Sequence, residues 1–411
     1  MATLITNISS LVTVNANGKH ALTGSSMNDV GEIKNGAILF DETIEWIGLA
    51  SEIDADNIDA DVIDAQGCTV LPGFVDSHTH MVFAGSRSHE FARRLKGVSY
   101  QTIAGEGGGI LSTMRAVRAA DLPTLLDIAE PLVHSAIQHG TTTVEIKSGY
   151  GLTLDSELRQ LAVLEDLREM LPITFVGTFL GAHDVPPEYA GRREAYVDHI
   201  VNDMLPRVAE QRVAEFCDVF ADTGYFTNED SERILRAAAS YGLKAKVHAD
   251  ELSAFGAAEM AARVGAVSAD HLLYISEEGM DAMKAAGTVA TLLPGTAYTL
   301  RLPYAPARAM IDKGMVVALA TDCNPGSCYC ENMQQILSLA CINMHMSIEE
   351  SIVASTLHGA AALGLASLTG SLEVGKRADI VIHHVPSYTE LVYHFGTNTV
   401  ISVFAGGQEV A

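Results

Sequence analysis

At 411 residues the chain exceeds what a single core usually fills, so one large domain with a smaller companion is expected, and a hydrophobic content of 48% is ample for both. The formal net charge of −25 argues against nucleic acid as a partner, because phosphate backbones are met by Lys and Arg clusters that are missing here. No apolar run reaches the roughly 20 residues that span a bilayer, and no basic segment followed by a long apolar stretch opens the chain, so a soluble, cytoplasmic protein is expected.

From residue 1 to about 67, short runs such as Gly36 to Phe40 and Ile44 to Gly48 are broken by Asn, Asp and Gly and read as β-hairpin strands. The next run, Pro72-Gly73-Phe74-Val75-Asp76-Ser77-His78-Thr79-His80, ends in two histidines one residue apart. In a strand, residues i and i+2 share a face, so both imidazoles aim at one point. Alone this is a weak signal in a chain with fifteen histidines.

Seven further apolar runs follow: Thr142 to Lys147, Thr174 to Ala182, Ala214 to Phe220, Ala245 to His248, Ala266 to His271, Val289 to Leu293 and Val316 to Thr321. Amphipathic stretches such as Asp155 to Met170 and Asn228 to Tyr241 separate them. Eight such alternations predict an α/β fold, a (β/α)8 TIM-type barrel, over an open doubly wound sheet. No Gly-x-Gly-x-x-Gly opens a helix after an early strand; the cluster Gly105 to Gly109 comes too late. Strand texture returns at Ala378 to Ile382 and Val400 to Phe404. Residues 1–67 plus 366–411 are therefore expected to form one small β-sandwich domain from both chain ends, beside a 68–365 catalytic barrel.

Polar residues collect where the apolar runs stop: His78 and His80, Lys147 with Tyr150, His183, His248 with Glu251, His271, and Asp322 with Asn324. A lone strand-end histidine is more often a structural residue than a ligand. Six proposed strand ends carrying such groups together shift that balance, because barrel chemistry lies at the carboxyl ends of the strands. His78, His80, His248 and Asp322 make an N/O donor set suited to Zn²⁺ or Fe²⁺. An ion there can lower the pKa of a bound water from about 16 toward about 7, and Glu251 is spaced to carry the proton. The six cysteines, at 68, 217, 323, 328, 330 and 341, lack paired C-x-x-C spacing and are expected to be reduced and off the metal. Arg87, Arg93, Arg94 and Lys147 could serve an anionic substrate locally.

At this level of detail the chain resembles the amidohydrolase superfamily and, within it, the imidazolonepropionase family, over essentially its whole length. The segments that carry the resemblance are PGFVDSHTHMVFAGSRSHEF (72–91), GVSYQTIAGEGGGI (97–110), KSGYGL (147–152), FLGAHDVP (179–186), KVHADE (246–251), SADHLLY (268–274) and ATDCNPGSCYCEN (320–332). GSLEVGKRADIVI (370–382) is shared superfamily-wide. The resemblance implies metal ligands at His78, His80, His248 and Asp322, and substrate contacts at Arg87, Tyr150, His183, Glu251, Asn324, Gly326 and Ser327. It implies hydrolysis of the cyclic amide of 4-imidazolone-5-propanoate to N-formimino-L-glutamate, with one Zn²⁺ or Fe ion per subunit, and a homodimer is expected for the fold family. On the same resemblance an ion held there would supply hydroxide for attack on the ring carbonyl, His183 or His271 would help to stabilise the oxyanion, and Glu251 and Asp322 would handle the proton, with His271 holding Glu251 or the water in place. Arg87 offers a planar fork to the propionate. Binuclear relatives carry a bridging lysine after the fourth strand; here the fourth strand ends without one, so the site reads as mononuclear.

Cys68, Ala221, His358 and the Gly295 to Arg301 loop depart from the family's usual residues, though none removes a ligand or proton carrier. His20, His134, His139, His199, His345, His383, His384 and His394 read as structural, and His89 as a residue beside the site. Two rivals stand: another mononuclear amidohydrolase such as a cytosine- or guanine-type deaminase, and a catalytically dead scaffold. Arg87 with Asn324-Pro325-Gly326-Ser327 suits an anionic tail better than a neutral base, and all four ligand positions are filled.

Overall fold

Eight parallel strands follow one another around a barrel in a computed structural model that describes residues 2–411. Met1, where the terminal unit was expected to begin, lies outside the described residues. So do the side chains of Asp56, Tyr100, Gln101 and Ala104, the last three within the family segment 97–110. The barrel strands are Phe74–Asp76, Thr141–Lys147, Thr174–Ala182, Ala214–Ala221, Lys244–Ala249, Ser268–His271, Val289–Leu292 and Val317–Leu319. Each pairs with its sequence neighbour, and helices cover the outside, so strands such as Thr141–Lys147 are buried along their whole length.

The first strand is shorter than its sequence pattern suggests. Expected to run through His80, it leaves the ladder at Asp76. The reason is the seam of the barrel, where the first and last strands do not share the regular ladder. The Asp76 carboxylate instead accepts the Thr321 N–H at 2.9 Å and the Thr321 hydroxyl at 2.6 Å. Beyond it the two chains meet through Asp322 N–H to His78 O at 3.0 Å and His80 N–H to Cys323 O at 2.8 Å, with a bridge between Thr79 and Cys323. Closure of the barrel therefore sets Asp322 beside both histidines.

Helix positions follow from caps and apolar faces. Helix Asn228–Ser240 starts at Thr227, whose hydroxyl accepts the Asp230 N–H at 3.1 Å while the Asp230 carboxylate accepts the Thr227 N–H at 3.4 Å. Such a cap contributes about 1 kcal/mol. Its Ile234, Leu235 and Ala238 are buried, as are Leu161, Leu164 and Leu167 of helix Leu154–Met170.

The chain ends build one continuous eight-stranded sheet from Ala2–Val12, Glu32–Phe40, Ile44–Leu49, Ala60–Asp64, Thr69–Pro72, Ile380–His383, Val400–Ala405 and Gln408–Glu409. Thr69–Pro72 joins the two ends, parallel to the first strand and antiparallel to Ile380–His383. Alternation along Ile380–His383 sends Ile380 and Ile382 into a separate core with Ile5, Ile38 and Phe404, while Val381 joins the barrel core with Leu71. No helix among the described residues is long and apolar enough to cross a membrane.

Candidate active site

The carboxyl ends of the barrel strands deliver five ligand-type side chains to one buried point. His78 and His80 follow the first strand, His248 lies in the fifth, His271 ends the sixth and Asp322 follows the eighth. All five are buried. The His78 ring centroid lies 5.3 Å from that of His80, 4.6 Å from His248 and 5.5 Å from His271. Asp322 Oδ1 is 3.7 Å from His78 Nε2 and 3.6 Å from His80 Nε2. Two overlapping triads result, His78 with His80 and Asp322, and His78 with His248 and His271, in each of which one donor atom per residue lies within 4.8 Å of the others.

These residues fit a divalent cation. His78 Nδ1 donates to Asp270 Oδ2 at 2.6 Å, which leaves the Nε2 lone pair for a metal. His78 Nε2 and His248 Nε2 are buried without a hydrogen-bond partner in the protein, an arrangement that costs free energy unless something accepts those lone pairs. Burial, with the Lys147 charge next, holds His78 well below the ordinary imidazole range; burial and neighbouring His183 do the same for His80. Both are neutral, as ligation requires. Burial pushes Asp322 up to about 6, opposed by the Thr296 hydroxyl that donates to its Oδ2. The four expected ligand positions thus come together, and His271, expected as a group for the oxyanion or for holding Glu251 or the water, joins them as a further donor.

Several of these residues sit in the left-handed backbone region: Asp250 at φ 49°, His271 at 77° and Asp322 at 54°. Such conformations cost about 1–3 kcal/mol each and persist only where the surroundings impose them. Around Asp250 the cause is visible, since its carboxylate accepts N–H bonds from Phe255, Gly256, Ala257 and Ala258 at 2.9 to 3.1 Å. That clamp holds the turn carrying Glu251. The Glu251 carboxyl, pushed well above its usual range by burial and then by Asp322, lies 3.5 Å from His271 Nε2.

A cavity of about 360 Å³ opens over this point, lined by His80, Arg87, Tyr150, His183, Glu251, Asp322, Asn324 and Ser327 and walled by 97–99 and 299–302. Arg87 Nε donates to Glu90 Oε2 at 2.8 Å, and Glu90 Oε1 accepts the Gly109 N–H at 3.1 Å. The guanidinium lies so close to Gly326 that a Cβ there would fall 2.0 Å from Arg87 Nη1. Gly326 therefore makes room for Arg87 and does not line the cavity itself. Asn324 spends its side chain on its own turn: Oδ1 accepts the Gly326 and Ser327 N–H groups at 2.8 and 2.7 Å, and Nδ2 donates to Asp322 O and Ser327 Oγ at 2.7 and 2.8 Å.

His183 Nδ1 donates to Gly149 O at 3.0 Å, and burial pushes the imidazole down to about 3. Its Nε2 is then an acceptor. This changes the expectation of an oxyanion donor at His183, since a neutral ring with Nδ1–H has no second proton to give. The backbone on both sides of Tyr150 is held by a residue the sequence pattern did not single out, while the Tyr150 N–H itself donates to Gln160 Oε1 at 3.2 Å. Glu157 accepts N–H bonds from Gly149, Gly151 and Leu152 at 2.7 to 2.8 Å. Its signal was an acidic residue in the first helical turn after KSGYGL. Glu145, Asp218 and Asp270 were missed too, although a carboxylate inside an apolar strand is itself a signal.

Other expectations change. Lys147 is fully buried on Glu145 and Asp218 at 2.6 and 2.9 Å and does not reach the cavity. Arg93 is drawn to Glu106 at 2.6 Å, whereas Arg94 does line the cavity. His89 is exposed, and its neighbour Glu90 is the one that meets Arg87. The six cysteines are free, and burial raises Cys323 and Cys328 well above the ordinary thiol range, which disfavours thiolate ligation. His358 is a buried structural residue: Nδ1 donates to Val317 O at 2.8 Å and Nε2 accepts the Leu22 N–H at 3.1 Å. The loop around Gly295 is a helix, Pro294–Leu300, whose end walls the cavity.

Comparison with known proteins agrees with this geometry. The model of the amidohydrolase family matches residues 69–410. An imidazolonepropionase of Parabacteroides distasonis is 49% identical over 98% of each chain. One of Clostridium tetani is 46% identical over 99% of this chain and 97% of its own. Among solved structures, a triazine hydrolase variant superposes with a TM-score of 0.75 at 20% identity, covering 99% of this chain and 94% of that one. A guanine deaminase of C. acetobutylicum with bound guanine gives 0.73 at 15% identity over 100% of both. At those identities the solved structures show the fold alone. The full-length likeness to its curated relatives carries more, and on it this chain belongs to the amidohydrolase family and, within that family, to the imidazolonepropionases.

Proposed function

We propose that the chain hydrolyses the cyclic amide of 4-imidazolone-5-propanoate to N-formimino-L-glutamate, the imidazolonepropionase step of histidine degradation. The observation that carries this reading is identity of 44–50% with imidazolonepropionases, most of it over nearly the whole chain. The site adds chemical sense: a buried arginine, seated on Gly326, shares a cavity with neutral imidazoles and two carboxyls.

His78, His80, His248 and Asp322 are the residues that would hold one Zn²⁺ or Fe ion, with His271 as a neighbour able to join them. Such an ion supplies Lewis-acid polarisation of the ring carbonyl and acidifies a water at neutral pH. The remaining work falls to protein groups. Arg87 pairs with the propionate, fixed in place by Glu90. His183 accepts a ring N–H through Nε2, and Tyr150 packs beside it with ring centroids 5.2 Å apart. Glu251, kept basic enough by burial to take a proton, removes one from the attacking water and returns it to the ring nitrogen as the C–N bond breaks. His271 orients Glu251 from 3.5 Å. Lys147, already paired with two carboxylates, is not available to bridge a second ion, which supports a mononuclear site.

The reading includes a cytoplasmic location and a homodimer, the latter tested by light scattering of the purified protein. A deaminase of the same fold is the second reading, and Arg87 speaks against it because a nucleobase offers no carboxylate. Turnover is measured as loss of imidazolone absorbance in parallel with ammonia release from cytosine and guanine. Ammonia release without imidazolone turnover overturns the proposal. Absence of stoichiometric metal after supplementation, with neither activity, favours the inert scaffold.

A further inference from the structure

Beneath the metal-facing histidines lies a group of charges that none of the steps above uses. Glu145, Lys147, Asp218, Lys246 and Asp270 are fully buried on the second, fourth, fifth and sixth barrel strands. Lys147 Nζ sits 2.6 Å from Glu145 Oε1, 2.9 Å from Asp218 Oδ2 and 3.9 Å from Asp270 Oδ2. The two aspartates back different imidazoles. Asp218 Oδ2 is 3.0 Å from His248 Nδ1, and Asp270 Oδ2 is 2.6 Å from His78 Nδ1. One ammonium therefore lies at the common centre of two carboxylate–histidine pairs.

Stability alone does not account for this arrangement. Desolvating buried ions costs several kcal/mol each, and well-packed apolar side chains often do as well or better in their place. Lys246 shares part of the role, since its ammonium lies as near to Asp270 as that of Lys147, at 3.9 Å, but it donates to the Ser77 and Ala362 carbonyls at 3.2 and 3.4 Å and makes no ion pair with Asp218. Burial opposes the charge on Lys147, yet Asp218, Glu145 and Asp270 outweigh it and raise the group above the ordinary lysine range.

We propose that Lys147 is a positioning residue of the metal centre, whose buried ammonium orients His248 through Asp218 and, together with Lys246, supports the Asp270 that backs His78, so that it sets ion affinity while touching neither ion nor substrate. Without it, three buried carboxylates of like charge repel one another, and Asp218 loses the cation beside the oxygen that faces His248 Nδ1, while Asp270 keeps Lys246 at 3.9 Å. Loss of such outer partners typically weakens metal binding about 10–100-fold. The inference rests on the metal reading given under the proposed function.

The test is Zn²⁺ affinity by chelator competition on purified Lys147→Met and on the wild-type chain, with the visible absorption of Co²⁺-loaded protein as the second readout. A roughly 10-fold or greater loss of Zn²⁺ affinity and a shifted Co²⁺ spectrum are expected. Should Lys147→Met fail to fold, the pair Lys147→Met with Glu145→Gln removes one charge of each sign, keeps the Glu145 hydrogen-bond acceptor for Thr178, and is expected to show the same losses. A folded variant with wild-type affinity and an unchanged spectrum overturns the inference and leaves the function standing. A wild-type chain that takes up no Zn²⁺ or Co²⁺ overturns both.

Discussion

The floor and the rim of the cavity are built by different physics. On the floor, histidines from separate strands are aimed by partners far away in sequence: Asp270 and His78 are 192 residues apart, and Asp322 meets the first strand's histidines only because the barrel closes. On the rim, short-range bonds do more of the holding, although Arg87 also packs on Gly326 and His183 bonds Gly149. Arg87 pairs with Glu90 three residues on, Asn324 captures Gly326 and Ser327, and Glu157 gathers three N–H groups from residues 149–152. Floor residues depend on the whole barrel, whereas rim loops draw more of their geometry from nearby residues, so the two are expected to respond separately to substitution.

The sharpest way to break this division is to alter each side and ask whether the other notices. Glu251→Gln removes the proton carrier but none of the ion's expected ligands, so kcat falls about 10²–10⁴-fold while metal content, measured by elemental analysis, stays at the wild-type level. Asp270→Asn acts on the floor from behind. It leaves His78 without its charged acceptor and weakens Zn²⁺ binding about 10–100-fold, with KM for substrate unchanged once metal is restored. Arg87→Met acts on the rim alone. It removes a charge-assisted pair worth about 1.5–3 kcal/mol, raising KM roughly 10–100-fold with metal affinity intact. Loss of metal from the Arg87 variant would erase the proposed boundary between the two regions.

The smallest expected effect lies outside both. His358 is held by a backbone carbonyl and a backbone N–H, and burial pushes it down to about 4 from 6.5. Its folded pKa is depressed, so the unfolded chain binds the extra proton. Its contribution to stability is full above pH 6.5 and is lost as pH falls from there through about 4. His358→Asn should flatten the pH dependence of the urea midpoint in that window by the equivalent of about one proton, leaving activity at neutral pH unchanged. An unchanged slope would show that the imidazole is already charged in the folded chain.

The same division decides what could be read from the amino-acid order. Apolar runs alternating with amphipathic stretches gave the barrel, and hydrophobic texture at both ends gave the shared terminal sheet, because strand and helix periods are local. Residue types at strand ends identified His78, His80, His183, His248, Glu251, His271 and Asp322, and the segments around Arg87, Tyr150 and Asn324 identified the rim. What stayed hidden was orientation. Nothing local says that Asp76 ends the first strand by binding Thr321, that Gly326 exists to admit Arg87, that His183 accepts a hydrogen bond where donation was expected, or that Lys147 turns inward.

The sequence by itself therefore determined the family, the strand-and-helix frame and the chemical types at the site, since each is written in residues a few positions apart. Only the tertiary structure decided which carboxylate aims which imidazole. Those pairs form across the barrel between strands distant in sequence, and a burial-driven choice of partner exists only once the strands are side by side.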